Sequence, residues 1–126
     1  MKSNTPTQHF LPPEETEKLY KSILKSLPLT SLLCDRNKTF IGLINPTSLA
    51  LASYHIRQYI GKNFPTLLHL PDFPLRDILL KFDKAFDKLV QSRKAAQFEY
   101  EFKGEYFSTE SAFLGEEYIV FYIQNT

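Results

Sequence analysis

The stretch Phe40–Phe64, FIGLINPTSLALASYHIRQYIGKNF, decides how the rest of the chain is read. Thr39 and the five residues after it, through Ile44, are rich in β-branched and aromatic side chains and have strand character. Asn45-Pro46 interrupts them. An asparagine oxygen at a helix N-cap accepts from a free backbone N–H, and a proline at the first helical position loses nothing by lacking its own. The pair therefore predicts a switch from strand into a short helix of small apolar residues. That helix ends near Ser53-Tyr54 and is followed by the step Ile60-Gly61-Lys62.

Toward the amino end, Leu29 to Cys34 predicts a strand, and Asp35-Arg36-Asn37-Lys38 is turn chemistry, so the two strands form a hairpin. Before it, Leu19, Ile23, Leu24 and Leu27 fall at helical spacing between Glu14 and Leu27, with acids early and lysines late, as the helix dipole favours. Pro28 closes this amphipathic helix, because proline disfavours helical geometry in the residue before it. Residues 1–13 are polar and proline-bearing and predict a flexible arm. Toward the carboxyl end, Asp72 is a second cap candidate. After it Leu75, Ile78, Leu79, Phe82, Phe86, Leu89 and Val90 recur at steps of three and four through about Arg93. The period then changes to two: Phe98, Tyr100 and Phe102 alternate with charged residues, Gly104-Glu105 turns the chain, and Tyr106 to Phe113 makes the next strand. The last run, Tyr118 to Ile123, is apolar at every position, which predicts a central strand covered on both faces. The order predicts a single α+β domain over 14–126. Its amphipathic helix (14–27) precedes a core (29–126) in which helices pack on one face of a five-stranded antiparallel sheet.

Composition narrows the function. The chain has 126 residues, 43% hydrophobic, with 15 basic and 14 acidic residues and a net charge of +1. That length suits one domain with a real core, and the even charge leaves no footprint for nucleic acid. No window approaches the roughly 18 apolar residues of a membrane span, so no membrane contact is expected. One cysteine, Cys34, offers neither a disulfide nor a zinc spacing, which fits a reducing, cytoplasmic setting.

Set in order, Asn45-Pro46, Ser53-Tyr54, Ile60-Gly61-Lys62 and the apolar last strand resemble a PAS domain, a sensory module of bacterial signalling proteins. The resemblance runs from about Tyr20 to Thr126. It implies a module that senses and dimerises, a fragment of a larger protein that is most often a sensor histidine kinase. The last strand would pass a signal through Gln124 and Thr126 into an output domain of the same polypeptide. In the family an aspartate precedes the final threonine and serine 53 is a glycine; this chain departs at both places. In the opening helix Leu19, Ile23 and Leu27 form a stripe too apolar to face water, to be covered by the domain's own sheet or by a second copy, and the resemblance implies a homodimer paired through this helix.

The chemistry offered is sparse. His9, His55 and His69 stand apart from any carboxylate or thiol that local spacing would bring to them. No glycine-rich phosphate loop and no nucleophile elbow is present, so the domain is read as non-catalytic, without a metal site. The resemblance implies a cysteine ahead of the long helix where a flavin binds and a histidine on that helix where haem binds; Tyr59 to Leu70 has no cysteine and the long helix no histidine, so neither cofactor is expected. What remains is an aromatic interior, with Phe82 and Phe86 facing Phe98, Tyr100 and Phe121. The first reading is a filled core. The rival is a small apolar or amphipathic ligand with Tyr54, Tyr100 or His69 as polar contacts. Two other functions fit the composition: a pocketless interaction module of a transcriptional regulator, and a small-molecule enzyme on a cone-shaped α+β fold.

Overall fold

The computed structural model describes residues 13–27, 29–45 and 56–125. Helix α1 (Pro13–Lys25) leads to the hairpin of β1 (Thr30–Asp35) and β2 (Phe40–Ile44). A short 3-10 helix (Ile56–Tyr59), α2 (Phe64–Leu68) and the long α3 (Arg76–Ser92) follow, and then β3 (Gln97–Phe102), β4 (Glu105–Leu114) and β5 (Tyr118–Asn125). The five strands form one antiparallel sheet in the order β2-β1-β5-β4-β3. This is the α+β arrangement that the periodicities predict, with β5 in the middle. Its two neighbours are β1, where Leu33 faces Val120, and β4, where Ser111 faces Phe121.

Strand alternation separates two cores. Ile119, Phe121 and Ile123 point to the side covered by α2 and α3, together with Leu32, Cys34 and Phe107. Tyr118 and Val120 point the other way, where they meet Leu33, Ile44 and Leu24 of α1. Burying Leu24 completely is worth about 2 kcal/mol, so α1 is held by the sheet more than by its own propensity. It covers the sheet with Tyr20, Leu24 and Leu27, whereas Leu19 and Ile23 are left 47% and 44% exposed. The apolar stripe read from the sequence is thus split between two faces.

Asn45 makes contacts that the expected N-cap role does not include. Its φ of 52° is left-handed, not the extended backbone of a cap, and its Nδ2 reaches back to the open carboxyl end of α1. There it donates to the carbonyls of Leu24 (3.2 Å), Lys25 (3.1 Å) and Leu27 (2.9 Å). Carbonyls ending a helix are short of internal partners, and the amide just past β2 serves those of Leu24 and Lys25 in the last turn and that of Leu27 beyond it, with Leu27 N also donating to the Leu24 carbonyl at 3.1 Å. Thr30 Oγ1 donates to the Asn45 carbonyl at 2.8 Å and fixes the same corner. The helix expected to start at Pro46 and the candidate Tyr54 lie outside the described residues, as do the arm 1–12 and Thr126. Genuine N-cap geometry belongs to Asn63: its backbone is extended, Thr66 N donates to its Oδ1 at 2.9 Å, and Pro65 follows in the first turn of α2.

The Ile60-Gly61-Lys62 step closes the edge of the sheet at β2. Gly61, at φ 91°, donates its N–H to the Phe40 carbonyl at 2.8 Å, and Phe40 N donates to the Lys62 carbonyl at 3.0 Å. A φ in that range costs a side-chain-bearing residue, which is the physical reason for glycine here. Asp72, read as a cap, sits in a turn with φ 57°, and α3 starts four residues later with Leu75 at its N-cap and no side-chain cap bond. Pro74 explains the shift, because Phe73 before it is kept from helical backbone.

Gly115 in the β4–β5 turn has φ 66°, and a Cβ there would overlap Tyr20 Oη of α1, whose ring also meets Tyr118 edge-on at 5.3 Å. Gly115→Ala should lower stability by about 2–3 kcal/mol in urea unfolding, from left-handed strain and the overlap together. Adding Tyr20→Phe should recover about 1 kcal/mol of it, a coupling that a double-mutant cycle measures.

Candidate functional site

The inner face of α3 presents Leu79, Phe82, Ala85, Phe86 and Leu89, all buried. Phe82 is the hub. Its ring meets Phe98 at 5.0 Å and Phe121 at 4.9 Å, both edge-on, and Tyr100 at 5.8 Å. Tyr100 stacks in turn on Phe107 at 5.1 Å. Phe86 belongs to a second group, with Phe64 at 6.1 Å and, through Phe64, Phe40 at 5.0 Å. Such offset and edge-on pairs add about 0.5–1.5 kcal/mol each beyond their buried area. The long helix is therefore locked to the sheet at two places along its length.

Between β1, β2 and the amino half of α3 lies a void of about 20 Å³ with no polar lining surface. Leu32, Leu43, Tyr59, Phe73, Ile78 and Ile123 are among its walls, and Phe82 closes one side. A volume of this size is about that of one water, and apolar walls give a water nothing to bond. Of the residues read from the sequence as pocket candidates, Phe82 borders the void; Phe98, Tyr100 and Phe121 pack behind it, and Phe86 packs farther along the helix. His69 is a correction. It is exposed at the end of α2, where Nδ1–H donates to the Pro65 carbonyl one turn back at 2.7 Å, so it offers nothing to the interior. Tyr59 and Phe73, in edge-on contact at 5.1 Å, were not singled out from the sequence. Both lie where no helix or strand period assigns a face.

The interior holds few polar atoms. Ser111 Oγ serves Ala96, accepting from its N at 3.1 Å and donating to its carbonyl at 3.3 Å. Tyr100 Oη and Thr109 Oγ1 are buried without a hydrogen bond of acceptable geometry. The Thr109 hydroxyl is still near enough to ease ionisation of the phenol slightly. Burial dominates and pushes the Tyr100 phenol far above its ordinary value. Burial, and then the neighbouring Asp35 charge, raises the Cys34 thiol well above its usual range, so it stays protonated inside the core. Among the described residues no three of His, Cys, Asp and Glu come together as metal ligands.

Two charged clasps frame this interior. Lys38, at φ 63° in the β1–β2 turn, places Nζ 2.6 Å from Asp83 and 2.9 Å from Asp87 of α3, and 5.4 Å from the Phe86 ring. These contacts satisfy Asp83 Oδ1, which is buried and otherwise without a donor. Just past the carboxyl end of α3, Arg93 holds Glu116 through both carboxylate oxygens, at 2.9 and 3.2 Å, and lies over the Phe113 ring at 4.3 Å.

No protein-family model and no curated protein matches the chain. Solved structures do. The photoactive yellow protein domain of the sensor histidine kinase Ppr from Rhodospirillum centenum is 16% identical over 82% of this chain and 91% of that one, with a TM-score of 0.57. A sensory box sensor histidine kinase from Vibrio cholerae is 14% identical over 90% and 94%, at 0.53. The PAS domain of the Cronobacter turicensis RpfR quorum-sensing receptor, in complex with C12:0, is 13% identical over 79% and 94%, at 0.52. At these identities the likeness is one of fold, and that fold replaces the cone-shaped alternative.

The raised phenol and thiol fix the sign of an alkaline effect. A group whose folded pKa lies above its unfolded value gives stability that is complete below the unfolded pKa. That stability is lost as pH climbs from there through the folded value. The ordinary values are 9.0 for Cys34 and 10.0 for Tyr100, so urea midpoints should be level at neutral pH and fall from about pH 9 upward. Tyr100→Phe should flatten the part of the fall above pH 10. It should cost less than about 1 kcal/mol at pH 7, since the hydroxyl it removes has no bond to lose.

Proposed function

Because the chain has a PAS fold, we propose that it is a sensory and dimerisation module of a signal-transduction protein of the sensor histidine kinase type. Its output domain lies in the same polypeptide, its setting is cytoplasmic, and its work is sensing, not catalysis. The observation that carries this reading is the position of β5. On one face Ile123 borders the void; on the other Tyr118 and Val120 hold α1; and just past Ile123 the strand reaches the exposed Gln124 and Asn125. A ligand or partner that shifts the interior would bias two arrangements of this strand, and both α1 and the end of the domain would follow.

The ligand this interior would take is small and apolar or amphipathic, as the bare walls and the tyrosines around them suggest. At about 20 Å³ the void has to widen to admit it. Tyr59 and Phe73 are the wall positions best able to give way, since neither is held in a strand or a long helix. A second reading draws on the same small volume: a module that binds a protein partner and never opens. Neither haem, flavin nor a metal enters either reading.

Leu19 and Ile23 supply the dimer face, exposed on α1 while Leu27 and Leu24 are spent on the domain's own sheet. Two experiments test the proposal. Ile23→Glu should give monomers by light scattering with the urea midpoint unchanged, whereas Leu24→Glu, on the buried side, should unfold the domain; an unchanged Ile23→Glu dimer removes this interface. A thermal-shift screen of apolar and amphipathic small molecules, C12:0 among them, should find a stabilising ligand. Hydrogen exchange with that ligand should change in α1 and over residues 122–125. A ligand that stabilises the fold and leaves both regions unaltered would refute transmission through β5, and a screen with no shift would favour the module that never opens.

A further inference from the structure

The edge of the sheet opposite β2 is β3, and its free backbone groups can be identified. Lys103 (φ 53°) and Gly104 (φ 83°) form a two-residue turn of the type I′ kind, whose flanking residues Phe102 and Glu105 are a hydrogen-bonded pair. Counting back by twos, Tyr100, Phe98 and Ala96 address β4, and Ser111 N does donate to the Ala96 carbonyl at 2.9 Å. The N–H and C=O groups of Gln97, Glu99 and Glu101 therefore point away from the sheet. One of them, the Glu99 carbonyl, takes a bond of 2.8 Å from Lys81 Nζ.

Opposite charges line the two sides of this edge. On the α3 side a groove of about 240 Å³ has Ala85, Ala96 and Phe98 as its floor and Lys81, Lys84 and Lys88 as its wall. On the other side of the sheet stand Glu99 and Glu101, with Glu110 behind them across from Gln97. Among the described residues Lys84, Lys88, Glu101 and Glu110 make no ion pair. A strand laid on the edge sends successive side chains to these two sides in turn. We infer that the β3 edge is a docking site for an extended peptide. Its alternate side chains are acidic toward Lys81, Lys84 and Lys88 and basic toward Glu99 and Glu101. Main-chain bonds to Gln97, Glu99 and Glu101 give the pairing, and the charge alternation selects the sequence. On docking, Lys81 exchanges the Glu99 carbonyl for a carboxylate. A second copy of this edge does not fit, because antiparallel pairing of β3 with itself sets lysines against lysines on one side and glutamates against glutamates on the other. The site does not depend on whether the interior takes a ligand.

The test uses the full chain and a labelled heptapeptide, Thr-Glu-Lys-Glu-Lys-Glu-Thr, beside versions with glutamine in place of glutamate and with every glutamate exchanged for lysine. Fluorescence anisotropy should rank the glutamate-lysine peptide first, with binding that weakens as salt rises. The Lys84→Glu, Lys88→Glu double variant, at two exposed helix positions, should bind it about tenfold less tightly and should gain affinity for the all-lysine peptide. Amide exchange at Gln97, Glu99 and Glu101 should slow in the complex. Equal binding of the glutamine peptide, binding that leaves those amides unprotected, or no binding of any peptide would each overturn the inference. The last outcome would mean that Lys81 and the two glutamates only guard the edge against pairing.

Discussion

The fold depends on one constraint: β5 is apolar on both faces and must be covered twice. Ile119, Phe121 and Ile123 require a layer on one side, and Tyr118 and Val120 require one on the other. A single sheet with helices on one face leaves half of this strand in water. The chain meets the requirement with α3 on the inner side and α1 on the outer side, drawn from the middle and the start of the domain. That double coverage makes β5, like β1 beside it, an element that both cores share.

Polar contacts set the register that burial alone leaves loose. Hydrophobic area holds α1 on the sheet without fixing where along the sheet it ends; the Asn45 amide, bonded to three carbonyls at the end of α1, does fix it. Lys38 does the same for α3, since its ammonium spans Asp83 and Asp87 on successive turns. Lys38 and Asp83 are partly shielded while Asp87 is exposed, and the geometry draws on two charge-assisted bonds plus the Phe86 ring, which gives it more weight than an isolated surface pair.

Much of the architecture was legible from patterns of two and of three and four. The five strands, the long helix, the β1–β2 hairpin and the central place of β5 all stand where alternation and spacing put them, within a few residues. The departures come from particular residues. Asp72 looked like a cap because a short polar side chain preceded an apolar run, but Pro74 moved the start of α3 to Arg76. Asn45 and Asn63 are both followed closely by proline. The extended backbone and cap bond belong to Asn63, and Asn45 turns its amide to residues 18–21 positions earlier. Local sequence does not distinguish the two. In the interior Phe82 was legible as the aromatic hub, whereas Tyr59 and Phe73 were not, because each stands in a segment with no periodicity to assign it a side.

By itself the sequence determined the five strands, the opening and the long helix, which strand is central, and that the interior is aromatic. These are consequences of period and polarity, and both are properties of a chain read in one dimension. The tertiary structure alone decided which neighbour each apolar face meets. It divided one stripe of α1 between the sheet and the solvent, left His69 outside, closed the interior to about 20 Å³, and set lysines and glutamates on opposite sides of a free strand edge. The physical reason is that burial is non-directional: a periodic pattern specifies that a side chain leaves water, while the choice of partner rests on packing and hydrogen bonds between residues far apart in the chain.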